Sequence, residues 1–410
     1  MVSTPKAVAT DGAWHGAVPA GWSLKQLKWA VTFQRGHDLP TEDRQEGPVP
    51  VVTGGGITGW HAVAQAKGPG IVTGRYGTIG EFYLVKQDYW PLNTSLYSIA
   101  LHGNHAGFLR YMLEPLAPLF HLNAAKSAVP GIDRSDIHTI PVAVPPLAMQ
   151  CAIADYLDRE TERLDGLMAA KERVLGLVTE KRRALITHAV TRGLDPCASL
   201  RDSGIPWLGE IPSHWETERT RWLFRERDER SETGEEELLT VSHLTGVTPR
   251  SEKDVNMFEV ETTEGYKICL AGDLVINTLW AWMGAMGVSP INGIVSPAYN
   301  VYQPRPGLDP NFVDALVRIP VFAQEVTRYS KGVWSSRLRL YPEGFFEVFC
   351  PVPPINEQRA IVAHIAAETA KLDALLAATE RTIALLKERR SALIAAAVTG
   401  QIEVEGAECS

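Results

Sequence analysis

Val144-Pro145-Pro146-Leu147-Ala148-Met149-Gln150 opens a stretch that continues to Thr191 and recurs without a gap 208 residues later, from Val352-Pro353-Pro354-Ile355-Asn356-Glu357-Gln358 to Thr399. Identical residues occupy 24 of the 48 aligned positions, among them Glu160-Thr161 and Glu368-Thr369, Leu164-Asp165 and Leu372-Asp373, and Ala184-Leu185-Ile186 and Ala392-Leu393-Ile394. A period this long is not that of a solenoid; it marks two copies fused in one polypeptide, a pseudo-dimer. Function is therefore expected in pairs.

Working outward, each copy also has a matching head. Trp14, Gly16, Pro19, Trp22 and Trp29 recur 193 residues later as Trp207, Gly209, Pro212, Trp215 and Trp222. Between head and tail the bodies, roughly 20–143 and 213–351, hardly agree. Two constant frames thus carry two different inserts.

The repeated stretches read as long helices. Ile153, Leu157, Leu164, Leu167, Leu175, Val178, Leu185 and Ala189 fall on one helical stripe, and Ile361, Ile365, Leu372, Leu375, Ile383, Leu386, Leu393 and Ala397 repeat it. Gly193 and Gly400 supply the stops, Asn356 is the expected N-cap of the second helix, and Glu357 suits the positive end of its dipole. At about 1.5 Å per residue, some 44 residues make a rod of roughly 65 Å. A single apolar stripe on such a rod cannot be buried by one small domain, so the two helices are expected to pack on each other as a coiled coil. Pseudo-two-fold symmetry then makes them antiparallel.

With 410 residues, 45% of them apolar, the chain can bury two substantial cores. No apolar run approaches the roughly 20 residues of a membrane span, and Met1 to Gly12 lacks the features of a signal peptide. Five cysteines without Cys-x-x-Cys spacing indicate neither a zinc site nor a disulfide framework, so a cytoplasmic protein with reduced thiols is expected. The net charge of −8 argues against a nucleic-acid binder only in bulk. Residues 1–146 carry 11 basic and 10 acidic groups and residues 197–351 carry 15 and 22, but the excess acid concentrates in Glu226–Glu237 and Glu252–Glu264. Val317–Pro342 instead holds Arg318, Arg328, Lys331, Arg337 and Arg339 against Glu325 alone. A binding face is a patch, not a sum.

Several motifs occur in one order: Pro353-Pro354-Ile355-Asn356-Glu357-Gln358, Leu372-Asp373, Ala189-Val190-Thr191-Arg192-Gly193-Leu194-Asp195-Pro196, and the head Ile205-Pro206-Trp207-Leu208-Gly209-Glu210-Ile211-Pro212-Ser213-His214-Trp215. This duplicated set resembles the DNA specificity (S) subunit of type I restriction-modification systems, over nearly the whole chain. Met149, where the second copy has Glu357, departs from the family pattern. The resemblance implies an α+β chain: target recognition domain 1 at 1–143, long helix 1 at 144–196, target recognition domain 2 at 197–351, long helix 2 at 352–400 and a tail at 401–410. It further implies two α+β recognition domains joined by two long antiparallel coiled-coil helices in a pseudo-two-fold duplicated chain. Such a chain has no catalysis of its own. Each domain reads one half of a gapped double-stranded DNA site, the helix pair sets the gap, and two modification (methyltransferase) subunits dock on the helices. Those partners methylate adenine at N6 with S-adenosylmethionine, and two restriction (motor-nuclease) subunits using ATP and Mg can join.

DNA reading needs donors for phosphates and side chains that reach base edges. Two places in each body offer both. The first is Gly74-Arg75-Tyr76-Gly77-Thr78-Ile79-Gly80, matched by Trp280-Ala281-Trp282-Met283-Gly284-Ala285-Met286-Gly287. The second precedes each Pro-Pro: Lys126-Ser127-Ala128-Val129-Pro130, with Arg134 beyond it, and Arg328 to Arg339, with Lys331, Trp334, Ser336 and Arg337. The expected contacts are therefore Arg75, Tyr76, Thr78, Lys126, Ser127 and Arg134 for one half-site, and Trp280, Trp282, Arg328, Lys331, Trp334, Ser336, Arg337 and Arg339 for the other. Because the bodies differ, the half-sites are expected to differ too. The bland alternatives are a tight hairpin with packing aromatics and a solvated basic loop.

Rival readings leave weaker traces. An adenine methyltransferase of the partner's kind needs Asn- or Asp-Pro-Pro-aromatic, whereas the Pro-Pro pairs here are flanked by Val and by Leu or Ile. Gly54-Gly55-Gly56-Ile57-Thr58-Gly59 matches Gly-x-Gly-x-x-Gly, but Gly68-Pro69-Gly70 follows too soon for the helix that must receive a pyrophosphate. His61, His121 and His243 show no ligand spacing. A coiled-coil scaffold whose variable heads bind protein is the remaining alternative.

Overall fold

The computed structural model describes residues 18–125, 131–252, 262–332 and 338–404. The chain divides into two compact units, Met1–Glu172 with Glu380–Ser410, and Arg173–Thr379. No helix among the described residues is long and apolar enough to cross a membrane.

Unit 1 begins with β1 (Ser23–Gln26), β2 (Thr32–Arg35), β3 (Val49–Thr53), β4 (Gly56–His61), β5 (Gly70–Gly74), β6 (Phe82–Val85), β7 (Trp90–Pro91) and β8 (Ser95–Ala100). Helices α1 (Ala106–Leu113), α2 (Ala117–Ala124) and α3 (Arg134–Ile137) follow, then β9 (Pro141–Val144) and the start of α4 (Leu147–Arg192). A four-stranded sheet in the order β2-β8-β5-β6 forms the middle of the unit. Ile71-Val72-Thr73 of β5 is wholly buried, as a β-branched run inside a covered sheet should be. One face meets α1 and α2 through Phe108, Leu109, Leu113 and Phe120. β1 pairs with β9, which closes the body at its first and last strands.

Unit 2 contains β10 (Leu200–Asp202), β11 (Glu210–Pro212), β12 (Glu216–Arg219), α5 (Thr220–Leu223), β13 (Phe224–Arg227), β14 (Leu239–Ser242), β15 (Gly246–Pro249), β16 (Lys267–Cys269), β17 (Leu274–Asn277), β18 (Met286–Val288), β19 (Gly293–Val295) and β20 (Tyr299–Pro304). Next come α6 (Pro310–Val317), α7 (Pro320–Arg328), α8 (Pro342–Phe345), β21 (Phe349–Val352) and α9 (Ile355–Val398). Its four-stranded sheet runs β13-β20-β17-β18, and β12 pairs with β21. The core rests on Phe312, Phe322, Phe345 and Tyr302, each fully buried. Full burial of such a side chain contributes about 1.5–3 kcal/mol.

α4 and α9 are continuous over 46 and 44 residues and stop at Gly193 and Gly400, whose φ angles of 74° and 70° need glycine. Two details differ from the sequence reading. Asn356 lies inside the first turn of α9 and does not cap it; the helix starts directly after Pro354, whose carbonyl accepts from the Glu357 and Gln358 amides at 2.8 and 3.0 Å. Leu167 and Leu375, drawn into the apolar stripe, both stand about half-exposed. Over ten turns the 3.6-residue period drifts from any fixed stripe, so positions chosen by spacing alone rotate off the buried face.

In unit 1 the first half of α4 runs antiparallel to the last part of α9. Ile153, Ala154 and Leu157 pack with Ile394, Ala397 and Val398, and Arg390 Nε donates to Asp165 at 3.1 Å. In unit 2 the last part of α4 meets the first part of α9 through Ala189, Val190 and Ile361, and Arg182 pairs with Asp373 at 3.5 Å. Both ion pairs join residues that are identical in the two copies.

Each helix end also receives a head. Gly400 lies against Pro19 and Trp22 in unit 1, and Gly193 lies against Pro212 and Trp215 in unit 2. His214 meets Glu357 at 2.8 Å. Gly21 and Met149 occupy the two corresponding places of the first copy, so both partners of this contact are replaced together. Cys197, Cys269 and Cys350 are free, whereas Cys151 is disulfide-bonded, so the expectation of reduced thiols throughout does not hold there. A single pairing leaves no spacing signature in the sequence.

Candidate nucleic-acid interface

In unit 1 the β5–β6 loop is built on glycines. The Gly74 amide donates to the Thr78 carbonyl at 3.3 Å, and Thr78 Oγ1 sits where a side chain on Gly54 or Gly74 would stand. Gly54-Gly55 is the turn between β3 and β4, so the glycine-rich motif forms a β-hairpin tip packed on the loop. A nucleotide fingerprint would instead open a helix.

The stretch after Ala125 returns to this loop. The Ile132 amide donates to the Arg75 carbonyl at 3.1 Å, and Arg75 Nε donates to the Ile132 carbonyl at 3.4 Å. Arg75 also faces Asp133 at 3.7 Å and lies over the Tyr76 ring at 5.2 Å. Its side chain is only 12% exposed, so its first role is to tie two loops together. Tyr76 is 46% exposed, with one ring edge against Gly131. Arg134 stands exposed at the start of α3, which Asp133 and Asp136 close with a capping box. Beside it, His138 Nε2 accepts from the Phe33 amide at 3.0 Å. Burial foremost, then the charges of Arg134 and Lys28, holds the His138 pKa below the ordinary imidazole value. Lys126 and Ser127 lie outside the described residues.

Unit 2 reaches the same convergence with other side chains. The β17–β18 connection is a short 3-10 turn, Ala281–Met283, closed by Gly284 at φ 86°. Trp280 and Trp282 stack with ring centroids 6.2 Å apart and planes 22° from parallel. Trp280 is 51% exposed, and Met283 beside it is also exposed. Lys331 and Arg339 exchange backbone hydrogen bonds of 2.9 Å, and the neighbouring Leu340 amide donates to the Thr278 carbonyl at 3.1 Å. Two exposed cations therefore stand at the foot of the tryptophan loop. Arg328 is held at 2.8 Å by buried Glu325, with most of its own side chain in solvent. Trp334, Ser336 and Arg337 lie outside the described residues.

The sequence reading missed the glutamines that set these bodies on the helices. Gln150 Nε2 donates to the carbonyl of Pro145 at 2.9 Å and to Asn104 Oδ1 at 2.8 Å, while its Oε1 accepts from the His105 amide at 2.8 Å. Gln358 Nε2 donates to the carbonyls of Pro353 at 2.8 Å and Gly307 at 3.0 Å, and its Oε1 accepts from the Asp309 amide at 2.8 Å. His105 and Asp309 are the N-caps of α1 and α6. A polar residue identical in both copies, just after each Pro-Pro, was the available signal. Asp133 and Met283 were not among the expected contacts, because their places depend on loop geometry.

Residues 19–175 match the family described as type I restriction modification DNA specificity domain. No curated protein matches the chain. Among solved structures, a chain from work on complex assembly and conformational transition of the type I restriction-modification system is similar at 16% identity, with a TM-score of 0.70, covering 94% of this chain and 100% of that one. The HsdS subunit from Thermoanaerobacter tengcongensis is similar at 17% identity, with a TM-score of 0.54, covering 95% and 100%. Residues 19–175 thus match a type I restriction-modification DNA specificity domain, and across its length the chain shares the mixed α/β fold of these two solved structures.

Proposed function

We propose that this chain is the DNA-reading subunit of a type I restriction-modification complex and that its two units read the two halves of a gapped, asymmetric duplex site. One observation carries the proposal. Within each unit a glycine-framed aromatic loop and the segment before the Pro-Pro meet through backbone hydrogen bonds, Arg75 with Ile132 and Thr278 with Leu340. Distant stretches brought together with aromatic and cationic side chains suit a surface that must meet phosphates and base edges at once. The bases read follow from the side chains, and these differ between the units.

In this reading α4 and α9 fix the spacing of the half-sites and dock two modification subunits, with motor-nuclease subunits joining them. α4 exposes Leu167 and Leu177, and α9 exposes the matching Leu375 and Leu385 to nearly the same extent. Apolar side chains offered twice in identical settings suit two copies of one partner. The partners supply the chemistry on adenine N6, with S-adenosylmethionine bound in them, and the target base leaves the stack to react.

Salt dependence of binding to the methylated motif tests the reading. Lys331→Ala and Arg339→Ala should each lower the slope of log K against log salt by about one. Variants that bind as tightly as the parent with an unchanged slope would oppose it.

A further inference from the structure

Unit 2 carries a feature that the described residues of unit 1 lack, two large indole rings held side by side at the surface. We infer that Trp280, backed by Trp282, is a stacking wedge that enters the base stack of the half-site read by unit 2, so that this half of the DNA is locally unstacked and the other is not. The inference rests on the proposed DNA-reading role and specifies how one half of that role is carried out.

The loop is rigid before any ligand arrives. The Leu279 amide donates to Asn277 Oδ1 at 3.2 Å, the Trp280 amide to the Asn277 carbonyl at 3.0 Å, and the Trp280 carbonyl accepts from Met283 and Ala285 at 3.0 and 3.1 Å. Trp282 Nε1 is already committed to the Leu279 carbonyl at 3.0 Å. That ring therefore has only its faces and edges to offer, one of them to Trp280. Exposing Trp280 and Met283 together in water is unfavourable without a partner.

The surroundings say what the partner is. Lys331 and Arg339 stand at the foot of the loop, and Arg328 is also largely exposed in the same unit. An aromatic platform flanked by cations suits a base flanked by phosphates, because every base presents a π-face and each phosphate a negative charge. Aromatic and apolar wedges of this kind part a base step and kink the duplex. The corresponding loop of unit 1 is arranged differently: the Arg75 guanidinium lies over the Tyr76 ring at 5.2 Å, and the ring edge rests on Gly131.

The test uses the full complex, assembled with its modification subunits and without S-adenosylmethionine, on duplexes carrying the motif methylated by the parent. 2-Aminopurine is placed in turn at each position of both half-sites except the methylated adenines. At one step of the half-site read by unit 2, binding should raise the emission severalfold, and Trp280→Ala should abolish that rise. The same variant should weaken specific binding roughly ten- to hundredfold, with non-specific DNA affinity and complex assembly within twofold of the parent. Trp280→Phe should retain both signals. A rise that persists in Trp280→Ala, or equal loss of specific and non-specific binding, overturns the inference. So does failure of both variants to assemble, which would make the rings a protein contact. A parent complex that binds its motif with no unstacked step sinks the wedge alone, whereas a parent with no preference for any two-part site sinks the DNA-reading role itself.

Discussion

Gln150 and Gln358 make nearly the same three hydrogen bonds in the two units, whereas Arg75-Tyr76 and Trp280-Ala281-Trp282, in corresponding loops, meet their surroundings in different ways. The contrast separates what the fold demands from what the site permits. A buried amide joining a proline carbonyl to the N-cap of an earlier helix has no substitute of the same shape. A loop tip in solvent, once its glycines and backbone bonds are in place, can carry an arginine or an indole.

The largest predicted effects break the constant half of this comparison. Gln358→Ala and Gln150→Ala each leave buried carbonyls and an amide without partners, and each should cost about 3 kcal/mol in chemical denaturation. A cost under 1 kcal/mol for either would show that water replaces the clamp. Next come the helix stops. Gly400→Ala and Gly193→Ala place a side chain at positive φ against Pro19 and against Trp215, and should cost about 1–3 kcal/mol, with Gly400 the worse because its neighbour is a proline ring. Equal tolerance at both positions would weaken the account of how heads seat on helix ends.

Smaller effects sharpen the same contrast. Arg390 meets Asp165 and Glu114 and is largely covered, whereas Arg182 meets, among the described residues, Asp373 and is more exposed. Arg390→Ala should therefore cost about 1 kcal/mol and Arg182→Ala about half of that or less. Finally, acid should strain unit 1 through His138, whose place at the 208-residue offset is Phe346. A folded-state pKa below the ordinary value means that the unfolded chain binds the proton first. Stability gained from neutral His138 is then full above the ordinary imidazole value and falls as pH drops from there towards the depressed one. Denaturation midpoints between pH 7.5 and 5 should show this loss, and His138→Gln should flatten it; an unchanged slope would remove His138 as its source.

Much of this was legible in the sequence because the duplication supplied an internal alignment. Both long helices, their glycine stops and the glycine-framed loop of each body could be placed from patterning. The tucking of Arg75 could not, since its 12% exposure depends on Ile132 and Asp133, 57 and 58 residues away along the chain. Leu167 and Leu375 misled for the opposite reason, because regular spacing does not reveal which face of a long helix its partner covers. The cap expected at Asn356 failed because the proline before it already ends the extended segment. Lys126, Ser127, Trp334, Ser336 and Arg337, which lie outside the described residues, remain proposals from sequence.

The most direct measurement is the genome-wide N6-methyladenine pattern of cells carrying this gene, cells lacking it, and cells in which the body at 213–351 is exchanged for that of another such chain. The account predicts that deletion erases methylation at one gapped motif with two unlike halves, and that the exchange rewrites only one half. Loss of no motif, or a motif with identical halves, would contradict it.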